Sequence, residues 1–175
     1  MKRIWIAGCA GSGKTTLAKM IGEKYGIPVY HRDSITWDEN DAVRSEEEQI
    51  TMLKAITEKD KWIFEGARFT ASKIDGRLDR CDTIIHLDIN RFLCLYRGLK
   101  RAHEHSKIID ITMADRQPFH FEHICGVLFG YPKKRKQREA IFKLAMEKGI
   151  NVIILKSRKE VKVFFNQPNS IIVCS

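Results

Sequence analysis

Long apolar runs and paired cysteines are both missing from this sequence. Its apolar segments, such as that at 151–155, have about the length of a strand, whereas a membrane-spanning helix needs about 20 apolar residues. The five cysteines are odd in number and share no Cys-x-x-Cys spacing, so we expect free thiols in a reducing cytoplasm rather than a disulfide framework. A strand pattern begins within the first residues and leaves no room for a signal peptide. These absences predict a cytoplasmic protein without a membrane segment.

The size and charge of the chain are compatible with two kinds of partner. Its 175 residues suit a single α/β domain over 1–175, and its 43% hydrophobic content is enough for a folded core. The 31 lysines and arginines outnumber the 22 acidic residues, which gives a net charge of +9. Such an excess can serve a nucleic acid, or it can hold phosphorylated small molecules. Composition alone leaves both interpretations open.

A glycine-rich segment near the start matches the phosphate-binding loop pattern, in which Gly-x-x-x-x-Gly-Lys-Ser/Thr follows a strand and opens a helix. Its glycines allow the backbone to turn N–H groups toward phosphate oxygens. Lys14 supplies a charge for the β- and γ-phosphates of ATP, and the Thr15 hydroxyl can bind Mg²⁺. The following helix adds the positive end of its dipole. The predicted cofactor-binding residues are Gly8, Cys9, Ala10, Gly11, Ser12, Gly13, Lys14, Thr15 and Thr16.

Short apolar segments that alternate with helical patterns predict an α/β fold with a parallel, doubly wound sheet. The expected strands are 3–7, 28–31, 61–65, 83–87 and 151–155. The expected helices are 14–25, 45–59, 90–105, 133–148 and 157–165, two of which begin with a capping box. In the helix at 90–105, the residues expected to face the core are Phe92, Leu95, Tyr96 and Leu99.

Polar or glycine-rich residues follow four of the five predicted strands. The phosphate-binding loop follows the first, Asp33 the second, Glu65-Gly66 ends the third, and Asp88 follows the fourth. Ligands of open α/β sheets bind outside the carboxyl ends of the strands. We therefore expect these residues to line one side of the molecule.

Several stretches of the chain resemble the adenylate-kinase-like group of P-loop phosphotransferases. Within that group the chain is similar to the bacterial topology modulation protein (FlaR-like) family. The order and spacing of the later stretches narrow the match, because the first stretch is common to many NTPases. The stretches span most of residues 1–165 and read KRIWIAGCAGSGKTTLA, IPVYHRDSITW, KWIFEGARFT, CDTIIHLDINRFLCLYRGLKR, YPKKRKQREAIFKL and VIILKSRKEV.

This resemblance implies a three-layer P-loop NTPase fold with a five-stranded parallel sheet in the order 2-3-1-4-5. It also implies a helical acceptor-binding insert at about 34–59 and a lid at about 98–138. The implied activity is Mg²⁺-dependent transfer of a phosphoryl group from ATP to a small acceptor, a nucleotide or nucleoside. Two alternatives stay open: a nucleotide-regulated DNA-binding protein, as the family name suggests, and an NTPase without a small acceptor.

Three arginines are candidates for stabilising charge during phosphoryl transfer. Arg97 and Arg101 are four residues apart, so one face of the predicted helix presents both guanidinium groups. The resemblance implies that such a pair acts on the donor phosphates and that Arg138 approaches from the far side of the lid. Lys14 and Asp33 complete the expected catalytic set. Asp33 either orients or deprotonates an acceptor hydroxyl, or holds a Mg²⁺-bound water, or is simply a turn or helix-cap residue. The alternative for the arginines is an exposed helix face with surface salt bridges.

The acceptor-binding candidates are Asp33, Trp37, Glu65 and Arg68. Trp37 either stacks on an acceptor base or belongs to the core, and Arg68 resembles the arginine that holds an acceptor's phosphate or carboxylate. Glu65 departs from adenylate kinases, which carry Asp-Gly at this strand end. Its extra methylene leaves two roles open: binding Mg²⁺ with Thr15, directly or through water, or meeting the acceptor.

Overall fold

A five-stranded parallel sheet forms the centre of the chain. The strands lie in the order β2-β3-β1-β4-β5, and every pairing between them is parallel. This order confirms the predicted three-layer P-loop NTPase fold. In sequence the strands are β1 (Arg3–Gly8), β2 (Val29–His31), β3 (Trp62–Glu65), β4 (Thr83–Leu87) and β5 (Asn151–Leu155). The computed structural model describes residues 1–40, 42–67, 69–105 and 124–167.

Helices cover both faces of the sheet. They are α1 (Lys14–Tyr25), α2 (Arg32–Thr36), α3 (Glu46–Thr57), α4 (Arg77–Arg80), α5 (Arg91–His105), α6 (Arg135–Glu147) and α7 (Arg158–Asn166). Helical turns occupy Thr70–Lys73, Gly126–Gly130 and Tyr131–Lys133. Both expected caps form, because Ser45 accepts from the Glu48 N–H and Ser157 from the Glu160 N–H, each at 3.2 Å. None of the helices in the described ranges is both long and apolar enough to cross a bilayer.

The core lies on both sides of the sheet because successive strand residues point to opposite faces. On one face Ile4 and Ile6 pack with Leu17 of α1 and with residues of α5 and α7. On the other face Trp5 packs with residues of α3 and α4 and with Phe142 of α6. The two apolar layers hold the carboxyl ends of the strands in fixed positions, and the site is built on those ends.

A buried ion pair at the start of α4 packs against the sheet. The Arg77 guanidinium donates to the Asp75 carboxylate at 2.7 Å, and both residues are 0% exposed. The same guanidinium lies 4.5 Å from the centre of the Trp5 ring. The Trp5 indole N–H in turn donates to the Gly66 carbonyl at 2.8 Å. This chain of contacts ties the end of β3 to β1, beside the phosphate-binding loop.

The predicted inward face of α5 is wrong. The residues that point to solvent are Phe92 (61% exposed), Tyr96 (62%) and Leu99 (44%), and of the four only Leu95 is half-buried. The buried positions are instead Cys94 and Gly98. At Cys94 the helix packs closely on the phosphate loop, because the backbone at Gly11 lies directly against the Cys94 carbonyl. A glycine at position 11 permits this approach, and a sequence pattern that ranks positions by hydrophobicity does not detect it.

Candidate active site

The phosphate loop, residues 8–15, connects β1 to α1 and has the conformation its glycines predict. Gly11 and Gly13 adopt positive φ angles of 77° and 96°, which other residues adopt only with strain. The Ser12 N–H donates back to the Cys9 carbonyl at 3.1 Å and closes the turn. Gly13 then caps α1, so the positive end of that helix faces the loop. This arrangement suits binding of a phosphate group.

Gly11 also has a packing role that the motif does not require. A Cβ atom at this position would lie 2.1 Å from the backbone oxygen of Cys94 in α5. Position 13 is different, since a Cβ atom there would meet nothing within 4 Å. The phosphate loop therefore packs tightly against α5 at Gly11, whereas the side-chain position of Gly13 faces open space.

The Lys14 side chain lies at the opening of the phosphate loop and contacts a polar group on each side. Its Nζ atom donates to the Cys9 carbonyl at 3.0 Å and lies 3.7 Å from Oε1 of Glu65. Its side chain is only 13% exposed. The ammonium group is thus held over the loop by a carbonyl on one side and a carboxylate on the other.

Glu65, at the end of β3, is the ionised centre of the site. Burial raises the pKa of its carboxyl, but the hydrogen bond with His31, the charge of Lys14 and the hydrogen bond with Thr15 outweigh burial and lower that pKa. The contact with His31 joins Oε2 to Nδ1 at 3.2 Å. Glu65 is 8% exposed, so its charge acts in a region largely free of solvent.

The two predicted Mg²⁺ ligands lie next to each other. The Thr15 side chain is near enough to help lower the pKa of Glu65, so a hydroxyl and a carboxylate lie together at the edge of the phosphate loop. Oxygen donors of these two kinds are the ligands that Mg²⁺ takes in phosphoryl-transfer sites. The residues present therefore fit this ion. The longer glutamate side chain also reaches Lys14 and His31 from the same position.

A cleft of about 410 Å³, called here the phosphate cleft, opens above the loop. Asp33 is exposed at the start of α2 and lines this cleft, as Glu65 does from β3. Trp37 is half-buried and pairs with Val43 through a backbone bridge. Arg68 lies outside the described residues. The lining residues are Gly8, Cys9, Ala10, Lys14, Arg32, Asp33, Glu65, Gly66, Ala67, Gly126, Val127 and Tyr131.

The three predicted arginines lie in different environments. Arg97 is half-buried, and its Nη2 atom is enclosed with no hydrogen-bond partner among the described residues. Arg101, one turn further along α5, is exposed. Arg138 is 6% exposed, and its Nη1 atom donates to the Tyr131 carbonyl at 2.5 Å. Residues 106–123, in the centre of the predicted lid, lie outside the described ranges.

Tyr131 and His86 form an aromatic wall that sequence patterns did not reveal. Their rings stack at 6.4 Å with an angle of 22°, and the Arg138 guanidinium lies 4.0 Å from the Tyr131 ring centre. Tyr131 lines the phosphate cleft, and its hydroxyl is enclosed without a partner in the described part of the chain. Burial lowers the pKa of His86 to about 4; Arg138 and Lys14 also lower it, whereas Asp88 opposes them.

We expect the free energy of unfolding to fall by roughly 2–3 kcal/mol as the pH drops from about 6.5 to about 4. Unfolded His86 binds a proton below its ordinary pKa of about 6.5, whereas folded His86 stays neutral until about pH 4, so acid favours the unfolded chain. Urea unfolding across this pH range measures the change. The substitution His86→Gln should flatten this part of the profile, and His103→Gln, at an exposed position, should not. Parallel profiles for wild type and His86→Gln would contradict the assignment.

His31 and Arg32 are the site residues that the strand-end rule could have revealed. They come directly before Asp33, at the end of β2, and the rule that selected Asp33 applies equally to them. Tyr131 could not have been found in this way, because it follows no strand. It reaches the cleft through the helical turns before α6, whose placement depends on tertiary packing.

No family model matches this chain, and no curated protein matches it. Among solved structures, shikimate kinase from Bacteroides thetaiotaomicron is 15% identical, with 95% of this chain and 96% of that chain covered and a TM-score of 0.63. Shikimate kinase from Acinetobacter baumannii, solved in complex with shikimate, is 13% identical, with 96% and 90% covered and a TM-score of 0.58. The Aquifex aeolicus enzyme is 16% identical, with 95% and 92% covered and a TM-score of 0.50. This chain therefore has the three-layer fold of P-loop kinases.

Proposed function

We propose that this protein is a kinase that uses ATP and Mg²⁺ to phosphorylate a hydroxyl group of a small acceptor. The observation that carries the proposal is the ionised Glu65 carboxylate, held beside Lys14 at the mouth of the phosphate loop. Phosphoryl transfer spreads negative charge over the moving oxygens and needs cations and N–H donors fixed around them. A loop cradle, an ammonium group and a carboxylate around one cleft provide these elements.

In this proposal the donor side is built from the phosphate loop and the arginines. The loop N–H groups and Lys14 hold the β- and γ-phosphates, and Thr15 and Glu65 hold Mg²⁺. When bound, the ion neutralises charge on the phosphate oxygens. The half-buried Arg97, with its partnerless Nη2 atom, is suited to meet a phosphate oxygen, because an enclosed guanidinium nitrogen is costly to leave unpaired.

The acceptor side is proposed to lie in a second cleft of about 400 Å³. This cleft adjoins the phosphate cleft, since Arg32 and Ala67 line both. Its described lining contains two cations and no acidic residue, which favours an acceptor with an anionic group. A nucleotide, the class that the resemblance implies, meets this condition. The remaining lining residues are Thr36, Val43, Gln49, Phe69, Lys134 and Gln137.

Two features support an acceptor whose anionic group lies near Arg32 and whose hydroxyl group lies in the phosphate cleft. A Cβ atom at Gly66 would lie 2.6 Å from Cβ of Arg32, so the missing side chain lets the arginine stem cross the end of β3 between the clefts. Asp33, one residue further on, lines the phosphate cleft. If the anionic group of the acceptor binds near Arg32, the acceptor's hydroxyl group would lie within reach of Asp33. We propose that Asp33 orients this hydroxyl and accepts its proton.

A phosphoacceptor screen with γ-labelled ATP tests the proposal. Nucleotides, nucleosides and small hydroxylated metabolites are offered separately, each with Mg²⁺, after a thermal-shift panel has selected the compounds that bind. The expected result is transfer of label to one acceptor class, with one ADP formed for each phosphoryl group transferred. ATP hydrolysis without labelling of any acceptor would favour an NTPase instead. If no nucleotide binds at all, the proposed donor site is wrong.

We expect Arg97→Ala to lower kcat by roughly 10–100-fold with a smaller change in ATP affinity. A charged hydrogen bond is worth about 1.5–3 kcal/mol, and this one should form fully only as the phosphoryl group moves. Arg101→Ala should act in the same direction. Steady-state kinetics and direct measurement of ATP binding separate the two quantities. The control is Lys100→Ala, an exposed neighbour on the same helix; equal losses in kcat and in affinity for Arg97→Ala would indicate simple ground-state binding.

DNA binding is the second candidate function, because the basic residues 133–136 are exposed before and within α6. Binding through such a surface releases counterions and weakens steeply with salt. Titration of duplex DNA at about 50 mM salt, with and without nucleotide, tests it. Absence of binding at that salt concentration removes this candidate, whereas nucleotide-dependent binding would favour it over a small acceptor.

A further inference from the structure

Two cysteines from different elements meet beneath the phosphate loop. Cys9 belongs to the loop and is 3% exposed, whereas Cys94 belongs to α5 and is 0% exposed. Both lie in the same buried cluster, and their thiols are near enough for each to shift the pKa of the other. The backbone contact of Gly11 with Cys94 holds the two elements together at this point. The sequence gives no hint of this pairing, because 84 residues separate the two positions and no spacing motif connects them.

We propose that Cys9 and Cys94 are an oxidation site, at which peroxide converts the two thiols into a disulfide that joins the phosphate loop to α5. Cys9 lines the phosphate cleft, so a small oxidant can reach its sulfur when that cleft is open. Cys94 is fully buried and is not among the residues that line this cleft in the described structure. The order of attack follows: Cys9 reacts with the oxidant, and Cys94 resolves the product.

The electrostatics of the pair support this order. The neighbouring Cys94 thiol lowers the pKa of the Cys9 thiol; burial opposes this, and the charge of Lys14 adds to it. The neighbouring Cys9 and burial raise the pKa of Cys94. Cys9 is therefore the thiolate-forming member, whereas the Cys94 thiol keeps its proton and donates to the Ile89 carbonyl at 3.7 Å. Cys81, also buried, is different, because burial raises the pKa of its thiol to about 12.

The chemistry needs only peroxide. The Cys9 sulfur attacks one peroxide oxygen, the O–O bond breaks, and water leaves, which gives a sulfenic acid. The Cys94 sulfur then attacks the Cys9 sulfur, its proton goes to the departing hydroxide, and a second water leaves. Two thiols are oxidised by two electrons, and one peroxide is reduced to two waters.

The bond should prevent nucleotide binding. A disulfide holds its sulfurs about 2.05 Å apart, closer than two thiols in van der Waals contact. Gly11 already lies against the Cys94 backbone, so the loop has little room to follow by translation and must change its shape. Loop N–H groups act on phosphate only in one arrangement, and small displacements reduce binding.

The test treats the reduced, nucleotide-free chain with hydrogen peroxide, caps remaining thiols with N-ethylmaleimide and maps cross-linked peptides by mass spectrometry. We expect a Cys9–Cys94 disulfide, loss of the rise in Tm caused by a non-hydrolysable Mg–ATP analogue, and recovery of both states with dithiothreitol. The analogue added before peroxide should slow cross-linking at least tenfold, since it fills the cleft. Oxidation of Cys9 without this disulfide would overturn the proposal.

Variants separate the disulfide from other damage. Cys94→Ala should keep its response to the analogue after mild peroxide treatment, and Cys94→Ser is the second choice if alanine destabilises the buried site. Cys81→Ala is the matched control and should still form the cross-link. If Cys94→Ala loses the response as readily as wild type, the disulfide is not the cause. Cross-link mapping needs no nucleotide, so it gives a result even if the proposed kinase activity is absent.

Discussion

Replacing Lys14 by alanine is expected to lower kcat/KM for phosphoryl transfer on the order of 10³-fold. The ammonium group is nearly enclosed, and it lies between the Cys9 carbonyl and the Glu65 carboxylate at the mouth of the loop. In such a place a charge on the transferring phosphoryl group is poorly screened by water. Loss of the Lys14 ammonium group should also weaken binding of Mg–ATP. Steady-state kinetics with the acceptor found in the screen, together with calorimetric binding of a non-hydrolysable analogue, measure both effects.

The control for Lys14→Ala is Lys19→Ala. Lys19 is an exposed lysine on the same helix, α1, so the variant removes an equal charge without touching the cleft. It should leave kcat/KM within about twofold, as expected for a surface substitution. Unchanged ATP affinity and turnover in Lys14→Ala would show that the donor phosphates bind elsewhere. Circular dichroism and Tm confirm that any loss of activity is not a loss of folding.

Substitution of Gly11 by alanine is expected to lower the free energy of unfolding by about 4 kcal/mol. Two costs add at this position: the left-handed φ of 77°, and a Cβ atom placed 2.1 Å from the Cys94 oxygen. The second cost is the larger, because the obstacle is a backbone oxygen and cannot rotate away. Urea unfolding gives the free energy, and an unchanged m-value would show that the unfolded state is unaffected.

Gly13→Ala provides the matched comparison. Its φ of 96° carries the same kind of strain, but a Cβ atom there meets nothing within 4 Å, so we expect a loss of only about 1 kcal/mol. The difference between the two variants isolates the contact with α5. Equal destabilisation by both would mean that strain alone is responsible and that the loop does not press on α5.

The fold could be predicted from the sequence because its signals are local. Strands β4 and β5 and helix α1 begin and end where apolar segments and caps predict. Short α2 was missed because five residues are too few to show a helical period. The inward face of α5 was missed for a different reason: the buried positions are held by Cys94 and Gly98, and hydrophobic periodicity gives small residues little weight.

Site residues that stand at the end of a strand could be predicted from the sequence, whereas those that reach the site through tertiary packing could not. Glu65 ends a strand, and its contact with Lys14 agrees with the expectation that strand ends meet at one side of the sheet. The direction of its pKa could not be known, since that depends on His31 and Thr15 outweighing burial. The roles of the arginines and of Trp37 stay predictions. Tyr131 and His86 required the tertiary structure.

The contact between Gly11 and Cys94 has a consequence for motion. A backbone touching a backbone cannot yield as side chains do, so the first turn of α5 moves with the phosphate loop as one rigid body. A ligand that reshapes the loop would therefore displace the first turn of α5, and a shift of that turn would reach the loop through the same contact.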